Sequence, residues 1–121
     1  MILLNHMKRS FAQSLHHAIQ GLHIAFRRER NLRIHCAVGV AVVGAGWFLS
    51  VSLEDLVILV MMISIVMFAE CINTALEMLS DVQNPRLSAH IGALKDVSAA
   101  GVLIVSIASV IVGILIFLPH L

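Results

Sequence analysis

The chain has 121 residues, of which 60% are hydrophobic and only 12% charged, with a formal net charge of +1. Soluble domains carry about 45–50% apolar and about 25% charged residues, so this composition and a mean hydropathy of +0.98 exclude an ordinary soluble domain. A single membrane-embedded domain over residues 1–121 is expected, with no nucleic-acid partner.

In chain order, Met1–Leu4 is too short for the apolar core of a secretory leader, and the first basic residues follow it, so no cleavable leader is expected. Over residues 5–30, Phe11, Leu15, Ala18, Ile19, Leu22 and Phe26 share one helical face, while Lys8, Arg9, Gln13, His16, His17, Gln20 and Arg27 fall mostly elsewhere. That pattern predicts an N-terminal amphipathic helix lying on a membrane surface, its cations against anionic headgroups. Three apolar windows follow. Residues 34–53 carry no formal charge, 56–80 are interrupted only by Glu70 and Glu77, and 97–119 are uncharged. Each reaches the ~18–20 residues that a transmembrane helix requires. Gly39, Gly44 and Gly46 read as packing residues of the first span, and Val82–Leu94, with Pro85 and Gly92, as the one sizeable loop. Cys36 and Cys71 lie in or beside spans and read as buried free thiols rather than a disulfide framework.

Lys8, Arg9, Arg27, Arg28, Arg30 and Arg33 all precede the first span, and Arg86 and Lys95 return between the second and third. The connection between the first two spans holds Glu54 and Asp55 and no basic residue. Positive charge marks the cytoplasmic side, so the N-terminus and second connection are expected inside and the C-terminus outside.

Glu70, Asn73, Glu77 and Asp81 fall within an arc of about 80° at 100° per residue, so one helix face carries all four. Ionised carboxylates in hydrocarbon cost several kcal/mol. Interhelical hydrogen bonding accounts for Asn73 but not for two glutamates. An Asp/Glu/Asn set with an open side suits Mg²⁺, which takes oxygen ligands and keeps positions for water and phosphate. Glu29 is the lone acidic residue of the N-terminal segment, set among arginines that read as a surface anchor. Lys95-Asp96 opens the third span, and Lys95 shares a face with Ser98, Ser106, Ser109 and Gly113, small residues suited to close helix contact. The seven histidines suggest no ligand set, and there is no G-x-x-x-x-G-K-[ST] loop, so any nucleotide must be held by helix ends. On residues alone, a small proton- or cation-coupled transporter subunit with Glu70 as its intramembrane carboxylate is the alternative to an enzyme. The crowding of polar groups at the cytoplasmic level, rather than at the midplane, speaks for an enzyme.

Glu70-x-x-Asn73-Thr74-Ala75-x-Glu77, followed by Asp81 and by Lys95-Asp96 one connection later, resembles the small bacterial integral-membrane diacylglycerol kinases. The run Glu29-Arg30-Asn31-Leu32-Arg33-Ile34-His35 resembles the signature of the branch that includes undecaprenol kinases. The resemblance extends from about Phe11 to Val105. It implies an all-α lipid kinase of the bacterial inner membrane, a homotrimer with one surface helix and three transmembrane helices per subunit. By that resemblance Glu70 is the base taking the lipid hydroxyl proton, and Glu29 and Glu77 hold the Mg²⁺ that bridges the ATP phosphates. Asn73, Asp81, Lys95 and Asp96 meet or position the nucleotide, while Arg33 and Ser98 join Glu70 on the substrate side. The acceptor is diacylglycerol or undecaprenol.

Overall fold

A computed structural model describes the backbone of residues 2–82 and 88–121 and the side chains of residues 10–82 and 89–121. Within these lie four helices: α1 (Ile2–Arg28), α2 (Arg30–Phe48), α3 (Leu53–Val82) and α4 (Ser88–Phe117), the last ending in a 3₁₀ turn at Leu118–His120. Three segments, Arg30–Phe48, Leu53–Val82 and Ala89–His120, are long and apolar enough to cross a membrane. At 1.5 Å per residue the 30 residues of α3 measure about 45 Å. A hydrocarbon layer is about 30 Å thick, so α3 is long enough to extend beyond it.

The element boundaries depart from the sequence reading in three places. The N-terminal helix predicted over 5–30 stops at Arg28, because Glu29 is extended (φ −109°, ψ 112°). Arg33 reaches back across this break and donates from Nη1 to the Phe26 carbonyl and, at 3.2 Å, to the Arg27 carbonyl. A helix end leaves such carbonyls without partners, and the guanidinium supplies them. The first span, predicted over 34–53, is displaced towards the N-terminus as α2. It ends in paired bonds from Ser50 N–H to the Trp47 carbonyl (3.2 Å) and from Val51 N–H to the Gly46 carbonyl (3.1 Å). Ser50 takes the left-handed conformation this cap requires (φ 55°). Ser52 Oγ then accepts the Asp55 N–H at 3.1 Å and starts α3. The loop predicted over Val82–Leu94 is largely helical: Ser88–Leu94 already belong to α4. Residues 83–87, with Pro85 and Arg86, lie outside the described residues. Gly92 is no breaker, since a helix interior accepts glycine at a cost of about 1 kcal/mol.

α3 is the central helix, packed against α2 on one side and α4 on the other. The α2–α3 seam depends on glycine. A Cβ at Gly39 would stand 2.9 Å from Ile63 Cγ2, and one at Gly46 would stand 3.3 Å from Val51 and 3.4 Å from Leu59. Gly44, expected to pack as well, faces open space within this chain. Leu32, Leu59 and Val66 form the buried core of the seam, with Leu32 wholly inaccessible. Most other apolar side chains remain exposed, Trp47, Phe68 and Ile104 among them, as expected of helices whose solvent is lipid. Cys36 and Cys71 are free thiols.

Candidate active site

The stripe read from the sequence lies on α3, and the other helices bring a partner to each of its members. Glu70 is deepest, with 3% of its surface exposed. Its Oε1 lies 3.1 Å from His35 Nδ1 on α2. The approach is oblique to a hydrogen bond, and Nδ1 is buried with no other partner. One turn along α3, Asn73 is held from two sides. Its Nδ2 donates to Glu77 Oε1 at 3.2 Å, and its Oδ1 accepts from Ser98 Oγ of α4 at 2.7 Å. These two bonds fix the asparagine amide and point one oxygen of Glu77 at it.

Glu29 occupies the break between α1 and α2. It flanks the start of α2 without making a capping bond to the helix, so its carboxylate is available to the site. Burial pushes its pKa above the ordinary value, and the Glu77 carboxylate, within hydrogen-bonding reach, pushes it further; Arg28 opposes the rise and Glu70 adds to it. A carboxylate from the α1–α2 break and one from α3 thus converge where one proton or one cation relieves their repulsion. The donors are all oxygen, which suits Mg²⁺, an ion that binds through one or two carboxylates and leaves its other positions to water and phosphate. Among the described residues no group of three or more His, Cys, Asp or Glu side chains could hold a metal. A two-carboxylate site for a phosphate-bound magnesium ion fits; an all-protein metal cage does not.

At the end of α3, Asp81 is clamped by two cations. Arg28 from the end of α1 donates to Oδ2, and Lys95 from α4 donates to Oδ1 at 3.1 Å. Arg28 also lies 3.9 Å from Glu29. The sequence placed Lys95 inward, and here it ties α4 to α3 at the level of the carboxylate pair. Asp96 is exposed and takes part in none of the ion pairs of the described residues. Arg33, expected on the substrate side, is engaged with the α1 carbonyls. His35 and Arg28 are the functional candidates that the helix-face analysis did not single out. His35 stands in the Glu29–His35 run and Arg28 directly before it, which was the available signal.

An apolar groove of about 760 Å³ begins at His35 and Ile34 and runs between α2, α3 and α4 past Val66, Ser106 and Gly113 to Leu121. It leads away from Glu70 towards the 3₁₀ turn at the end of α4.

Residues 16–117 match the family described as prokaryotic diacylglycerol kinase. The chain belongs to the prokaryotic diacylglycerol kinase family. It is 33% identical over 117 residues to the undecaprenol kinase of Bacillus subtilis (strain 168), covering 97% of this chain and 94% of that protein. It is also 37% identical over 109 residues to the diacylglycerol kinase of Synechocystis sp. (strain ATCC 27184 / PCC 6803 / Kazusa), covering 89% of this chain but 62% of that protein. Membership of the diacylglycerol kinase family makes the chain a lipid kinase and decides against the transporter subunit. The resemblance drawn from Glu70-x-x-Asn73 and the Glu29–His35 run therefore holds at the level of family and reaction class.

Proposed function

We propose that this lipid kinase transfers the γ-phosphate of ATP to the hydroxyl of a membrane alcohol, with undecaprenol favoured over diacylglycerol as acceptor. The observation that carries the reading is the run along one face of α3 from a carboxylate paired with Glu29 to a single buried carboxylate, Glu70. In this reading Glu77 and Asp81 serve the water-soluble nucleotide, and the buried Glu70 serves the membrane solute. Asp81 lies eleven positions along α3 from Glu70, about 16 Å of helix, so both substrates can meet on one face. The end-to-end match with the Bacillus undecaprenol kinase and the Glu29–His35 run support the polyprenol.

Phosphoryl transfer demands positioning and charge neutralisation more than covalent chemistry from the protein. Glu70 accepts the acceptor's hydroxyl proton as that oxygen bonds to the γ-phosphorus, and the bond to the β–γ bridging oxygen breaks to release ADP. Glu29 and Glu77 would hold Mg²⁺, which would supply charge neutralisation to the phosphates of ATP. Asn73, fixed by Ser98, keeps Glu77 in place. Lys95 and Arg28 exchange part of their bond to Asp81 for the incoming phosphates, and the exposed Asp96, next in sequence to Lys95, is assigned to the nucleotide. Arg33 holds the break that delivers Glu29. The acceptor's hydrocarbon lies along the groove beginning at His35. The working unit is a homotrimer in the cytoplasmic membrane, its sites and N-terminus on the cytoplasmic side.

The test offers γ-labelled ATP to the purified protein in bilayers containing diacylglycerol or undecaprenol. Label appearing in undecaprenyl phosphate at the higher kcat/KM supports the reading. Preference for diacylglycerol would reverse the acceptor assignment, and no label in either lipid would contradict the reaction.

A further inference from the structure

A buried carboxylate has two oxygens, and a base that takes a proton in a fixed direction needs one of them held. We infer that His35 is the positioning residue for Glu70: its Nδ1–H holds Oε1, which leaves Oε2 to receive the acceptor's proton. This deepens the kinase reading and rests on Glu70 being its base.

Three observations meet on His35. Its Nδ1 lies 3.1 Å from Glu70 Oε1 and is buried without any other partner. The cations near the site are engaged elsewhere, Arg33 with the Phe26 and Arg27 carbonyls and Arg28 and Lys95 with Asp81. The imidazole is thus the one basic side chain paired with Glu70 among the described residues. A buried carboxylate oxygen without a donor is costly, and turning the imidazole slightly towards Oε1 completes a hydrogen bond to it.

The third observation is the register that delivers the ring. Leu32, His35, Gly39 and Gly46 lie on the face of α2 that meets α3, while Leu59, Ile63, Val66 and Glu70 lie on the face of α3 that meets α2. Gly39 meets Ile63 and Gly46 meets Leu59, so in this antiparallel pair residue numbers across the seam sum to about 102–105. His35 and Glu70, which sum to 105, fall into the same ladder. Close approach at the two glycines therefore sets the imidazole opposite the carboxylate. The ring also lines the head of the apolar groove, so it stands between Glu70 and the space assigned to the acceptor chain.

Four forms of the bilayer-reconstituted protein test this: wild type, His35→Asn, His35→Gln and His35→Leu, with Glu70→Gln as the inactive reference. The amide nitrogen of asparagine falls where Nδ1 stood, whereas that of glutamine falls where Nε2 stood. Glutamine is the closer match in size, so a merely structural role favours Gln and a positioning role favours Asn. The expected result is a fall in kcat of about 100-fold in His35→Leu and His35→Gln. His35→Asn keeps most of the rate, and the KM for ATP stays near the wild-type value throughout. Should His35→Leu not fold, as read by thermal midpoint and elution volume, the Asn–Gln contrast decides alone. Equal rates in those two variants, or a change confined to the KM for ATP, would overturn the role of His35 while the kinase reading stands. A folded wild type that labels neither lipid would overturn both.

Discussion

Glu29 shows how one side chain couples fold to function. It terminates α1, flanks α2 without capping it, and spends its carboxylate on a neighbour of like charge, so its pKa is raised by burial first and Glu77 second. A carboxyl group with a raised folded value holds its proton above 4.5, where the unfolded chain has released it. The associated stability is present below that value and is lost as pH rises through the folded value. The metal-free protein should therefore lose thermal midpoint as pH rises above 4.5, and lose less in Glu29→Gln. Mg²⁺ added at the higher pH should restore the wild-type midpoint and leave that of Glu29→Gln almost unchanged. An identical Mg²⁺ response in the two proteins would remove Glu29 from the metal site. Glu70, Asn73, Glu77 and Asp81 were legible as one polar stripe because four polar residues on one arc of an apolar helix are costly. Their partners were not, since Ser98, Arg28 and His35 lie on other helices and each looks ordinary on its own.

Among the elements, the α2–α3 seam is the joint that matters most. Gly39 has no room for a side chain against Ile63, and the same contact fixes His35 opposite Glu70. Gly39→Leu should destabilise the protein by about 1–3 kcal/mol through overpacking. It should also lower kcat more than a distant destabilising substitution of equal size, because the helices can relieve the clash only by separating. Chemical denaturation and turnover on the same samples check this, and wild-type stability with wild-type rate would show that the seam tolerates the side chain. The three spans were legible because long charge-free windows have few other uses. Their ends were not: the Ser50 cap and the Arg33 bonds to α1 depend on backbone groups that hydropathy does not report. Gly92 misled in the other direction, since glycine ends helices in general and here lies inside one.

At the scale of the molecule, one chain leaves much apolar surface uncovered. On α1, Phe11, Leu15, Ile19 and Leu22 are all exposed, on the face the sequence assigned to a membrane surface. Phe11→Asp should weaken that attachment, seen as faster amide exchange or protease cleavage in α1 of the bilayer-embedded protein. Unchanged protection would show that the face is covered by something other than lipid. The proposed trimer would cover part of this exposed apolar surface, and its mass in detergent is directly measurable. The central claim is that the buried carboxylate of α3 takes the proton of a membrane alcohol. The most direct test is label transfer from ATP to lipid by wild-type protein and by Glu70→Gln, each shown to be folded and of the same oligomeric mass. The account predicts that the wild type labels its lipid and that Glu70→Gln, which cannot accept the proton, does not, although it still binds ATP. Near-normal transfer by Glu70→Gln would contradict it.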